Sequence, residues 1–85
     1  PEDHVELLEN LVVLKMPRSP EHDSTIQRMV RPLIRVIPNG FDLRVQSAIA
    51  LLDSQPEPDH AIVRGSAIDY RARHPGPDDI ALLIE

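Results

Sequence analysis

The sequence predicts an all-α fold, a small bundle of four to five short helices, with residues 1–85 forming a single helical domain. Three observations carry this expectation. Residues 24–37 (STIQRMVRPLIRVI) space their apolar side chains like one face of a helix. Serine and acidic residues of the kind that cap helices recur ahead of apolar runs. The nine prolines fall mostly where one such run ends and the next begins.

Residues 3–16 read as the first helix. Asp3 and Glu6 have the spacing of a capping box. Val5, Leu8, Leu11, Val12 and Leu14 then cover a wide arc, which implies deep burial. Val12-Val13-Leu14 alone would also suit the start of a strand, but the Glu and Leu content around it favours helix. The next start signal is Ser19 followed by Pro20, Glu21 and Asp23, with a second one turn on at Ser24 and Gln27. The second helix therefore begins near residue 20 or near residue 25. Ile26, Met29, Val30, Leu33, Val36 and Ile37 fall on one side of it, and Arg28, Arg31 and Arg35 on the other. Pro32 removes one backbone bond at a cost of about 3 kcal/mol in a regular helix. The stripe keeps its phase across Pro32, which implies a kinked helix or two short ones meeting there.

Pro38-Asn39-Gly40 ends this element, and two continuations compete. Asn-Gly followed by alternating Phe41, Leu43 and Val45 is a hairpin signal, so an α+β fold with a hairpin at 33–46 is the alternative. Its first strand would expose Ile34 and Val36 and set Pro38 beside the turn, which favours helix–loop–helix. In that reading Gly40 ends one helix and Asp42 caps the next, which reaches Ser54 and buries Phe41, Val45, Ala48, Ile49 and Leu52. Residues 54–59 (SQPEPD) form a stiff polar connector. Asp59 and the Ser66–Asp69 pair suggest short helices through HAIVRG and AIDYRAR, the segment with the weakest periodicity. After His74-Pro75-Gly76-Pro77, Asp78 and Asp79 start a last apolar helix, IALLIE, whose side chains must pack back on the domain or on a neighbour.

Composition narrows the function. Apolar residues make up 41% of the chain, nearly all aliphatic, with one Phe, one Tyr and no Trp. A site that stacks bases on rings has at most those two rings to use. The absence of cysteine rules out disulfides and thiolate metal sites. No apolar run approaches the length of about 18 residues that spans a bilayer, and the acidic N-terminus is unlike a signal peptide. A cytoplasmic protein with no membrane contact is expected. The formal net charge of −5 argues against general nucleic-acid binding, which needs a positive field.

Motifs for chemistry are absent. His4, His22 and His60 each adjoin an aspartate, but sequence neighbours on a helix do not face one another, so these aspartates read as caps. There is no H-E-x-x-H, no G-x-S-x-G and no glycine-rich phosphate loop. No enzyme activity, no catalytic residue, no metal and no cofactor is expected. The feature above background is the arginine row. Arg28, Arg31, Arg35, Phe41 and Arg44 are the expected partner-binding residues, with Arg71, Arg73 and His74 as a second basic cluster. The row could instead be paired internally with Glu6, Glu9 or Asp42. The expected function is a non-catalytic helical protein–protein interaction domain of the adaptor or docking kind. It presents an aliphatic surface rimmed by arginines to another protein with an acidic surface. Apolar first and last helices also leave a homodimer open. The alternative is a small nucleic-acid-binding regulator using the Arg28–Arg44 region as a helix-turn-helix-like unit, against which the net charge counts.

Overall fold

Short aliphatic runs decide the architecture, and here they decide for strands. The protein, as a computed structural model that describes residues 5–8 (backbone only), 11–15 and 21–85, is an α+β fold. Its elements are β1 (Val5–Leu8), β2 (Leu11–Leu14), α1 (His22–Val36), β3 (Phe41–Val45), β4 (His60–Arg64) and β5 (Ile80–Ile84). Single 3₁₀ turns occupy Ala67–Tyr70 and Pro77–Asp79. The sheet order is β1-β2-β5-β4-β3. β2 and β5 run parallel, and the other neighbours are antiparallel.

The expected all-α bundle is therefore overturned. The segments read as helices at 3–16, 60–65 and 80–85 contain β1 and β2, β4 and β5 instead. The physical reason is that four or five consecutive aliphatic residues suit a buried strand and a buried helix equally well, so period alone cannot separate them. β4 lies between β3 and β5 with both faces covered, and His60, Ala61, Ile62 and Val63 are all buried. β2 shows the period of two directly: Leu11 and Val13 are buried, while Val12 between them is exposed. The Asp3–Glu6 capping box and the Ser19-Pro20 start signal involve residues outside the described ones.

α1 is the element that periodicity found. It runs through Pro32 without a break. Ile26 is buried, and Met29, Val30, Leu33 and Ile37 are half-buried, as the stripe requires. Val36 departs from it and is 70% exposed. The hairpin at 33–46 is also corrected. A strand does follow Asn39-Gly40, but the residues before the turn are helical and β3 pairs with β4, setting Phe41 opposite Arg64. Gly40 and Gly65 close that ladder, both at positive φ (87° and 91°), with Gly65 N–H donating to Gly40 O at 2.7 Å. The helix expected over 42–54 is β3 followed by irregular chain.

The register assigns the faces, because directly opposed residues share one. Leu43, Val45, His60, Ile62 and Ile84 point to the α1 side. Ala61, Val63 and Leu83 point to the other, where they form a core with Leu11, Val13, Ile80, Ile49 and Leu51. Ile49 and Leu51 come from the irregular 46–59 segment, which Ala50 N–H ties to Pro75 O at 2.8 Å. The sheet is thus covered by a helix on one face and by two stitched irregular segments on the other. β5 carries a bulge opposite Ile62 and Val63, and the exposed Ala81 is its extra residue.

The free edge of β3 is blunted. Phe41, Leu43 and Val45 turn their backbone groups outward. Phe41 N–H donates to Pro38 O (3.2 Å), Leu43 N–H to Asp42 Oδ1 (2.8 Å), and Val45 O accepts from Ser47 Oγ (3.2 Å). Among the described residues, no helix is long and apolar enough to cross a membrane.

Candidate functional site

The outer face of α1 follows from its inner one. With the apolar stripe turned to the sheet, Arg28, Arg31 and Arg35 stand on the solvent side, and all three are exposed. At 1.5 Å rise per residue the row is about 10 Å long. Arg28 Nε donates weakly to Ser24 O one turn back, at 3.4 Å. Among the described residues none of the three forms an ion pair. Asp42, one of the acids that could have paired with them, spends its carboxylate on Leu43 N–H. The side chains of Glu6 and Glu9 lie outside the described residues. Ile34 (56% exposed) and Val36 (70%) flank the row.

The five residues expected to act together are not brought together. Phe41 lies on the α1 side of β3, half-buried, with the Arg64 guanidinium 5.3 Å from its ring centre. Arg44 lies on the opposite face, where one guanidinium nitrogen donates to Ala48 O at 3.1 Å. Its guanidinium also sits 5.5 Å from the ring centre of Tyr70, and that of Arg73 sits 5.1 Å from the same ring. Arg44 thus meets the second basic cluster rather than the row on α1. Arg73 in turn binds Asp79 at 2.9 Å, and the Tyr70 hydroxyl donates to Arg64 O.

This knot around Tyr70 fastens the 65–79 segment to the sheet, and sequence reasoning missed it. The capping spacing did signal part of it. Asp69 Oδ2 accepts from Ser66 N–H (2.9 Å), and Asp79 Oδ2 accepts from Gly76 N–H (3.0 Å). Those bonds shape single turns, not helices. No local pattern pointed to Arg44 as a neighbour of Tyr70, because the two lie on different elements.

The knot should make stability depend on pH at both extremes. Asp79 is held below its ordinary carboxylate range by the Arg73 hydrogen bond first and by Gly76 N–H second. Its contribution is present above the unfolded-state value and is lost as pH falls through the lowered native one. Tyr70 is pushed above its ordinary value, by burial first and by Asp79 second. Its contribution is present below the unfolded value and is lost as pH rises through the raised native one. With one Tyr and no Trp, ultraviolet absorbance reports Tyr70 alone. The phenol should ionise later in the folded chain than in urea, and Asp79→Asn should flatten the acid limb of the stability curve. Coincident titrations in both states would mean that the knot does not hold.

The histidines find partners far away in sequence. His22 Nε2 lies 3.2 Å from Asp59 Oδ2, and His60 Nε2 donates to Ile26 O at 2.9 Å. The two adjacent pairs, His22-Asp23 and Asp59-His60, are thus not interacting pairs. Among the described residues, no group of three or more His, Asp or Glu side chains is placed to hold a metal ion. Comparison with family models, with curated proteins and with solved structures found no match.

Proposed function

We propose that this chain is a non-catalytic docking module of the cytoplasm that binds an acidic surface of another protein through the outer face of α1. The observation that supports this reading is the row Arg28, Arg31 and Arg35, exposed and without an acidic partner among the described residues, in a chain of net charge −5. A guanidinium fork matches a carboxylate in a two-bond pair, and a rigid helix presents three such forks in line. Each exposed pair contributes only about 0–1 kcal/mol, so the row sets orientation and association rate. Ile34 and Val36 supply the aliphatic contact that holds the complex. A helix-turn-helix reading has less support, because the segment after Gly40 is strand β3 and not a second helix.

The test is a variant with Arg28→Glu, Arg31→Glu and Arg35→Glu together. Its melting temperature should stay within about 4 °C of the parent, since the side chains are exposed. A labelled peptide rich in Glu, Asp and Leu should bind the parent at low salt and lose its anisotropy signal on the variant. Equal binding by both would overturn the proposal. A collapse in melting temperature would make the arginines internal staples. Duplex DNA held by the parent and released by salt would favour the nucleic-acid alternative.

A further inference from the structure

Between the first turns of α1 and the end of β3 the surface opens into a pocket of about 240 Å³, lined by Asp23, Ile26, Gln27, Val45 and Gln46. The fold anchors two of its lining residues, Ile26 and the backbone of Gln46. Ile26 is buried and its carbonyl accepts from His60, which lies directly across the sheet from Val45. Gln46 leaves β3 at φ 50°, alone among the described non-glycine residues in having a positive φ. Left-handed backbone under a side chain is strained, and such strain collects where ligands are held. Here Gln46 N–H is fixed to Asp59 O at 3.0 Å, and Asp59 also holds His22.

The lining has a definite chemistry. Ile26 and Val45 provide an aliphatic wall, and Val45 remains 39% exposed. Gln27 and Gln46 provide side-chain amides. Asp23 provides a carboxylate that forms no ion pair among the described residues, unlike Asp59 nearby. Arg28, Arg31 and Arg35, the basic groups of the same helix, stand on its outer side. We infer that this pocket binds an alkyl cation, a guanidinium or ammonium group on a short aliphatic stem such as an arginine or lysine side chain carries. The stem lies against Ile26 and Val45. The cation meets Asp23, and the amide oxygens of Gln27 and Gln46 accept its remaining N–H groups. The inference does not rest on the proposed function, because it concerns the pocket between α1 and β3 and a ligand of opposite charge.

The experiment is an amide NMR titration of the full chain at low salt with N-acetylarginine N-methylamide. Putrescine serves as the free-amine arm and N-acetylcitrulline N-methylamide as the uncharged isostere. The side-chain amide signals of Gln27 and Gln46 should move with the arginine probe and stay fixed with the citrulline one. The Gln55 amide, outside the pocket, serves as the internal control. Asp23→Asn should weaken the response about fivefold while melting within about 4 °C of the parent. Movement with the arginine probe alone assigns the pocket to a protein side chain, and movement with putrescine as well extends it to free amines. Equal shifts with citrulline, shifts that survive Asp23→Asn, or no shift at millimolar probe would overturn the inference.

Discussion

Replacing His60 with alanine should destabilise the fold by about 2–4 kcal/mol, the range of a large-to-small change at a filled site. His60 is wholly buried, the one polar residue among the described ones that is. It stands on a central strand, between Val45 on β3 and Ile84 on β5, under the second turn of α1. Its Nε2 donates to Ile26 O, since a carbonyl can only accept, and this fixes the tautomer and leaves Nδ1 without a partner. The bond joins the helix layer to the sheet. His60→Leu refills most of the volume without the donor, so it should recover part of the loss and leave a deficit of about 1 kcal/mol. Urea unfolding of the three proteins measures both quantities. An alanine variant as stable as the parent would mean that the ring does not fill the space between α1 and the sheet.

The second large effect concerns Ile49 and Leu52. Ile49→Ala should cost about 2–5 kcal/mol, whereas Leu52→Ala should stay within about 0.5 kcal/mol of the parent. Ile49 is fully buried against Val63, Ala61 and Leu83, and Leu52 is 83% exposed. A helix over 42–54 would place both residues, three apart, on one buried face and give two similar losses. The contrast in unfolding midpoints therefore tells the irregular segment from the helix that local pattern suggested.

α1 was legible because an amphipathic pattern of four turns leaves little room for another reading: its stripe, its arginine row and its tolerance of Pro32 all follow from spacing. The strands were not legible in the same way. LVVL, HAIVR and IALLI are short and nearly all apolar, and a run of that kind carries no period to read. Their strand character comes from neighbours up to the far end of the chain, which no local window contains. The alternation of Phe41, Leu43 and Val45 was a true strand signal, set aside in favour of a helix because the partner sought for it at 33–37 does not alternate; its actual partner is β4. Leu52 shows the opposite failure, a residue in phase with a helix that the tertiary contacts never formed. The exposure of Arg28, Arg31 and Arg35 was readable from one helix. The knot around Tyr70 and the pocket beside Gln46 each need two elements to meet, so neither could be read from one.

The parallel pairing of β2 with β5 has a consequence for the order of folding. Among the described residues, β5 is the strand that links the β1–β2 ribbon to the β3–β4 ribbon. That seam joins Val13 to Leu83 and Leu14 to Ile84, positions distant in sequence. It continues past the strands in the Glu85 N–H bond to Leu14 O and in the Lys15–Glu85 ion pair, whose partners are 70 residues apart. Each ribbon can zip early from nearer contacts, but the halves share a core only after that long loop closes. Closing it costs chain entropy before any buried area is gained in return. The barrier to folding should therefore lie at the seam, with Val13 and Leu83 among the last side chains to lose contact with water.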